Sequence, residues 1–303
     1  MGTLISSRPG VLGARTHERS AGWRAFDPYI AITALVLIGF GLVAIWSADD
    51  SSNVFSIHSA VMRQIFYVIV GIPLLLGLSA INYRYIKTFA WAIYLATLGL
   101  LGLVLVAGTT VAGATRWFYF GPFSFQPSEI AKLGVIISLA AFIADRGEEM
   151  KDFKNYLGAG VVLAVPLALV YLQPDLGTSG VFCFVWLMML LMSRTKLIYI
   201  LGTLLAAIPA SLFAWEFLLH SYMRNRLLIS YDPQKDYLGS GFNIIQARIA
   251  IATGGKFGHG LAGDTQSQFD LLRVRTTDFI FAHSMEMFGF IGAIALFVAF
   301  VIL

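Results

Sequence analysis

The sequence predicts an all-α fold, a polytopic bundle of transmembrane helices with one large polar segment outside the membrane. Three observations carry this. The chain is 58% hydrophobic and only 13% charged, with a mean hydropathy of +0.77, and a soluble domain of that composition could not cover its surface with polar groups. Its apolar residues fall in eight runs, most of them near the length of about 20 residues that crosses a hydrocarbon core. Its Lys and Arg residues gather in alternate connections between those runs, the asymmetry that sets membrane topology.

Residues 1–27 form a polar tail holding Arg8, Arg15, Arg19 and Arg24. No short apolar core with a small-residue cleavage site precedes the first long run, so the first helix is expected to stay as an anchor. The rest, 28–303, reads as one transmembrane domain with spans at 29–47, 61–80, 86–107, 129–144, 157–172, 176–192, 197–219 and 279–303. The fourth, fifth and sixth are short. Only Gln173, Pro174 and Asp175 separate the fifth from the sixth, so one of that pair is expected to tilt, kink or re-enter.

With the N-terminus inside, short inner segments hold eleven Lys/Arg and short outer segments only Arg63 and Arg116. This orientation puts residues 108–128 and 222–277 on the outer face of the plasma (inner) membrane. The 222–277 segment, between spans seven and eight, carries seven Lys/Arg against four Asp. A connection that long is functional or disordered as a rule, and its aliphatic and aromatic content favours folding on the membrane surface. Its positive excess beside membrane lipids points to an anionic headgroup or a phosphorylated substrate. The net charge of +4 is explained by topology, so nucleic acid is not an expected partner. Cys183 is the only cysteine, which excludes disulfide frameworks and cysteine-rich metal sites. The last run stops at Leu303 with no polar flank, the pattern of a fragment or short form of a longer protein.

Three places carry groups that are expensive in a membrane. In Gly113 to Lys132, Pro127 suits the first turn of a helix, and Glu129 and Lys132 share a face at i, i+3. An ionisable pair there is a functional-site candidate, or an ion pair that fixes helix packing. Arg116 and Trp117 lie just outside, where an indole commonly anchors at the interface. In LQPDLGT, Asp175 reads as a turn residue or, if buried, as a carboxylate that needs a cationic partner. In the outer segment, Asp232 and Asp236 stand four residues apart in a Gly-rich stretch expected to be irregular. A carboxylate there could act as a general base or hold a divalent cation such as Mg2+ that bridges phosphates. The turn GGKFGHG, with Lys256 and His259, could cradle phosphate oxygens or be an ordinary loop. Asp278 and Glu286 are eight residues apart near the start of the eighth span, roughly on one helix face. A lipid-phosphate enzyme and a transporter both fit these residues.

The motifs GATRWF, GPFSFQPSEIAK, LQPDLGT, DPQKDYLGSGFNIIQARIAIATGG, GHGLAGDTQSQFD and TTDFIFAHSMEMFGFIG, in this order and spacing, resemble the SEDS family (shape, elongation, division and sporulation). TQSQFD is more similar to its elongation branch, RodA-like, than to its division branch, FtsW-like. The resemblance implies a peptidoglycan glycosyltransferase that polymerises lipid II on the outer membrane face, with a class B penicillin-binding protein as partner transpeptidase. It implies Asp236, not Asp232, as the essential carboxylate, and Arg116, Trp117, Glu129, Lys132, Asp175 and Lys256 as substrate-binding residues, with Gln126, Asp278 and Glu286 in support. Family members have ten spans, so two are expected beyond the eight read here. Tyr237, Val274, Thr276, Met287 and His259 depart from the family pattern. A lipid II flippase and a scaffold that recruits the transpeptidase are the alternative readings.

Overall fold

The computed structural model describes residues 27–49, 56, 59–111, 114–219, 221–261 and 276–303. The tail through residue 26, TQSQFD, Asp264, Asp270, Arg273, Val274 and Arg275 lie outside the described residues. Asp27 caps the first helix, its carboxylate accepting from the Tyr29 amide at 2.9 Å, with Pro28 at the first helical position. Proline suits that place because its missing N–H would be unpaired there anyway.

The helices are α1 (Pro28–Ala48), α2 (Ala60–Ala80), α3 (Tyr83–Thr88), α4 (Ala90–Ala107), α5 (Pro127–Arg146), α6 (Phe153–Tyr171), α7 (Leu176–Leu191), α8 (Leu197–Phe213), α9 (Ser221–Tyr231), α10 (Ser240–Thr253) and α11 (Ile280–Ile302). Among the described residues seven helices are long and apolar enough to cross a membrane, so the chain is a multi-pass membrane protein. The expected sixth span, α7, has 16 residues and is the short one. The expected third span is divided, because Phe89 ends α3 before α4 begins. The fourth starts earlier than expected, at Pro127.

The segment after α4, expected on the outer face, is not helical. Strands β1 (Thr109–Val111), β2 (Ala114–Phe120) and β3 (Phe123–Phe125) form an antiparallel sheet in that order. Gly121, with φ +63°, takes the first central position of the two-residue β2–β3 turn. Tight hairpins need left-handed backbone at that position. The sheet is a local exception to an otherwise helical fold, and it holds Arg116 on a strand.

The main core lies between α4, α5, α6 and α7, with Leu101, Leu139, Ala159, Val170 and Phe182 nearly inaccessible. Small residues let these helices approach closely, as membrane bundles require. A Cβ at Gly134 would collide with the Thr97 side chain, and one at Gly158 with the Phe142 ring. By contrast α1, α2 and α8 are apolar but mostly exposed, the condition of helices solvated by lipid.

At the end of the bundle opposite the sheet, Lys87 pairs with Asp145 at 2.6 Å. Glu148 accepts from Lys151 at 2.5 Å and faces Arg194 at 3.4 Å. The Lys151 hydrogen bond first, then the Arg194 and Lys151 charges, hold the Glu148 carboxyl below its usual range. A depressed carboxyl stabilises the fold above its unfolded value and ceases to do so as pH falls through its folded value. The melting difference between wild type and Glu148→Gln should therefore be small but present at neutral pH. It should vanish on acidification below the usual carboxylate range; a difference unchanged at acid pH would contradict the pairing.

Helix α10 descends beside α11 rather than lying flat. Ala247 and Ala250 pack on Ala282, and a Cβ at Gly254 would strike the Met285 carbonyl, so both helices run side by side in the same direction. At 1.5 Å per residue, Met285 to Ile291 lie roughly 8–16 Å along α11 from Ile280. The segment 254–260 then turns at that depth. Its backbone groups are satisfied by α11, where the His259 amide donates to the Glu286 carbonyl at 3.0 Å and the Gly260 amide to the Met287 carbonyl at 2.9 Å. In return the Phe290 amide donates to the Gly255 carbonyl at 2.9 Å and the Ile291 amide to the Lys256 carbonyl at 3.1 Å. This exchange is possible because α11 breaks at Gly289, with φ 64° and ψ −165°. Irregular backbone survives at membrane depth only when protein satisfies its polar groups.

Candidate functional site

Asp175 ends the tight α6–α7 connection and caps α7. Its carboxylate accepts from the Thr178 amide at 3.1 Å, the Thr178 hydroxyl at 3.0 Å and the Gln126 amide nitrogen at 3.2 Å. Arg116, projecting from β2, lies 3.6 Å from the same oxygen that Gln126 and the Thr178 hydroxyl approach. Asp175 is 7% exposed. A carboxylate so fully engaged is a clamp and not a free base. It ties β2, the N-cap residue of α5 and the start of α7 into one piece. The cationic partner that burial demanded is Arg116, and the turn role holds as well.

A cavity of about 320 Å3 opens beside this clamp, lined by Arg116, Asp175, Gly177, Met223, Arg226 and Ser230 among others. Helix α9 supplies the last-named wall. On α9, Arg224 donates to the Leu219 carbonyl at 3.0 Å and the Glu216 carbonyl at 2.6 Å, sealing the end of the α8 segment. Arg226, two residues on, faces the cavity instead. The Arg116 Nε is buried without a hydrogen-bond partner. Two guanidinium groups beside the N-terminal turn of α7 make a site for an anion with several oxygens.

The DPQKDYLGSGF stretch, expected to be irregular, forms a 3-10 turn over Pro233–Asp236 followed by α10. Its glycines have a definite purpose. A Cβ at Gly239 would overlap the Asp236 carboxylate, and one at Gly241 would overlap the Pro233 carbonyl. Asp232 and Asp236 are both half-buried, and Asp232 pairs with Lys235 at 3.8 Å. Asp236 is not among the residues lining the 320 Å3 cavity.

Glu129 and Lys132 meet at 2.8 Å on α5, as their spacing predicts. Trp117 is half-buried in β2, its ring 6.5 Å from that of Tyr119 and its carbonyl accepting from the Thr109 hydroxyl at 2.9 Å. The carbonyl of Lys256 is used to dock the 254–260 turn on α11, and its side chain is exposed. Glu286 is fully buried, but Asp278 lies in the exposed turn before α11. The two therefore do not share a helix face, because the helix starts at Ile280. Among the described residues no group of three His, Cys, Asp or Glu is placed to hold a metal ion. Arg226 was visible in the sequence only as one more loop cation, because nothing in its immediate neighbours distinguishes it from Arg224.

The chain matches over residues 28–303 the family described as a cell cycle protein, FtsW/RodA/SpoVE. It is similar to the peptidoglycan glycosyltransferase MrdB of Escherichia coli K12, with 36% identity over 279 residues, 91% of this chain and 73% of that protein. It is also similar to the probable peptidoglycan glycosyltransferase FtsW of Geobacter sp. strain M18, with 32% identity over 284 residues, 92% of this chain and 77% of that protein. Among solved structures, it superposes with a TM-score of 0.71 at 28% identity on a chain described under "Structural coordination of polymerization and crosslinking by a peptidoglycan synthase complex", covering 92% of this chain and 76% of that one.

Proposed function

The chain belongs to the FtsW/RodA/SpoVE family of cell cycle proteins, and on that premise we propose that it is a peptidoglycan glycosyltransferase that polymerises lipid II during cell-shape maintenance. The observation that carries the reading is the convergence of Arg116 and Arg226 on one cavity beside the Asp175 clamp. The donor's leaving group is a lipid-linked diphosphate, whose charge grows on the departing oxygen as the anomeric C–O bond breaks. Two guanidiniums fixed before the reaction stabilise that charge without reorganising.

Asp236 is the proposed base. It takes the proton from the acceptor sugar hydroxyl as that oxygen attacks the anomeric carbon, and the diphosphate leaves with the bonding pair. No general acid is needed for a leaving group that is already anionic. The reaction lies on the outer face of the inner membrane, with the N-terminus in the cytoplasm. A class B penicillin-binding protein crosslinks the product, a partnership supported by likeness to the synthase-complex chain.

Polymerisation of labelled lipid II by the purified full chain with its transpeptidase tests the reading. Wild type should make polymer. Arg226→Gln should lower kcat/KM by about 10- to 100-fold, the worth of about 1.5–3 kcal/mol for a charged hydrogen bond. Transbilayer movement of lipid II without any polymer would assign the cavity to transport instead.

A further inference from the structure

A second cavity, of about 630 Å3, lies between the Pro233–Asp236 turn and the face of α10 that turns away from α11. Such a volume is within the range of about 300–1,000 Å3 typical of small-ligand clefts. Its walls are Pro233, Tyr237, Ile245, Ile249 and Ala252, with Arg248 its charged side chain. The geometry is built in, since Gly241 admits the Pro233 carbonyl to a distance that any Cβ would prevent. Among the described residues no carboxylate pairs with Arg248.

Depth orders these groups. Ala247 and Ala250 pack on Ala282, less than a turn inside α11, so Arg248 sits where α11 enters the hydrocarbon. Ala252 lies about 6 Å deeper, at 1.5 Å per residue. Close by in the chain, on either side of the Pro233–Asp236 turn, Tyr231 and Leu238 are 91% and 90% exposed, large groups on a segment otherwise rich in charge. A cation at headgroup level above an aliphatic slot is complementary to an amphiphile with one negative charge and a chain.

We propose that this groove binds an anionic glycerophospholipid of the surrounding bilayer, its phosphodiester on the Arg248 guanidinium and an acyl chain along Ile249 and Ala252. A phosphodiester carries one negative charge, which one arginine matches. A lipid diphosphate carries more, and among the described residues that line the groove Arg248 is the one cation. The site is separate from the cavity at Arg116, and the Pro233–Asp236 turn that walls it also carries Asp236.

The test is lipid retention by the purified full chain, read by native mass spectrometry after mixing with phosphatidylglycerol or phosphatidylcholine at equal concentration. Wild type should retain phosphatidylglycerol preferentially. Arg248→Gln should lower that retention about fivefold, the effect of one interfacial charge, and leave phosphatidylcholine unchanged. Ile249→Trp, which fills the slot and keeps the charge, should lower it too, with thermal melting as the check on folding in both variants. Equal phosphatidylglycerol retention by wild type and Arg248→Gln would overturn the proposal. So would displacement of that lipid from wild type by equimolar polyprenyl diphosphate, which would give the groove to the substrate.

Discussion

Asp236→Asn is expected to abolish glycan polymerisation while leaving the protein folded. The amide has the volume of the carboxylate, so it fits the space that Gly239 leaves open, and the 3-10 turn before α10 should persist. What it loses is the lone pair that accepts the hydroxyl proton. General-base catalysis contributes about 10²- to 10⁴-fold, so turnover should fall by that factor with KM for lipid II little changed. Asp232→Asn, by comparison, removes only the partner of Lys235 in an open pair, and exposed pairs are worth about 0–1 kcal/mol. It should retain polymerisation near wild type. Polymer yields and melting curves of the two variants, measured side by side at equal folded amounts, check both halves. Equal activity in Asp236→Asn and wild type would remove the base from that residue.

Gly258→Val should be the most damaging change away from the site. Gly258 has φ +76°, a backbone region that costs a β-branched residue of order 1–3 kcal/mol. Its Cβ would also overlap the carbonyl of Met287, which accepts from Gly260 at 2.9 Å. Backing away breaks the exchange of hydrogen bonds between the 254–260 turn and α11 and leaves those peptide groups without their partners. Each such group costs about 1–3 kcal/mol. The sum, roughly 3 kcal/mol or more, should lower the melting temperature sharply. It should also expose residues 254–260 to rapid amide hydrogen exchange. Gly260→Val, where a Cβ meets nothing but φ is +74°, should cost only the backbone part and so separates strain from collision.

Apolar runs made the bundle legible, since nearly 20 residues without charge have few other uses. The ion pair Glu129–Lys132 and the need of buried Asp175 for a cation were equally legible, because spacing and desolvation depend on residue type alone. Arg116, named as a site residue, proved to be that cation through β2, and no periodicity in residues 109–125 had marked a sheet. The depth of α10 was hidden for a different reason. Its small face, Ala247 and Ala250, reads as unremarkable until Ala282 and the break at Gly289 are placed beside it. Glycines 254 and 258 read as part of a phosphate turn or an ordinary loop; together with Gly289 they are close-approach points between two backbones. Lys256 and Asp278 needed tertiary context that no local pattern supplies.

The first helix packs against the last. Phe40 of α1 meets Phe288 of α11 with ring centroids 5.1 Å apart, a contact between residues separated by about 250 positions in the chain. At a synthesis rate of about 5–20 residues per second, α1 therefore waits roughly 12–50 seconds in the bilayer before its partner has been made. During that interval it has α2, joined through the Ser59 hydroxyl on the Asp49 carboxylate at 2.6 Å, and lipid for company. Its almost wholly apolar, lipid-compatible surface lets it wait without exposing a polar face, and the newborn chain closes its bundle only when the ribosome has passed α11.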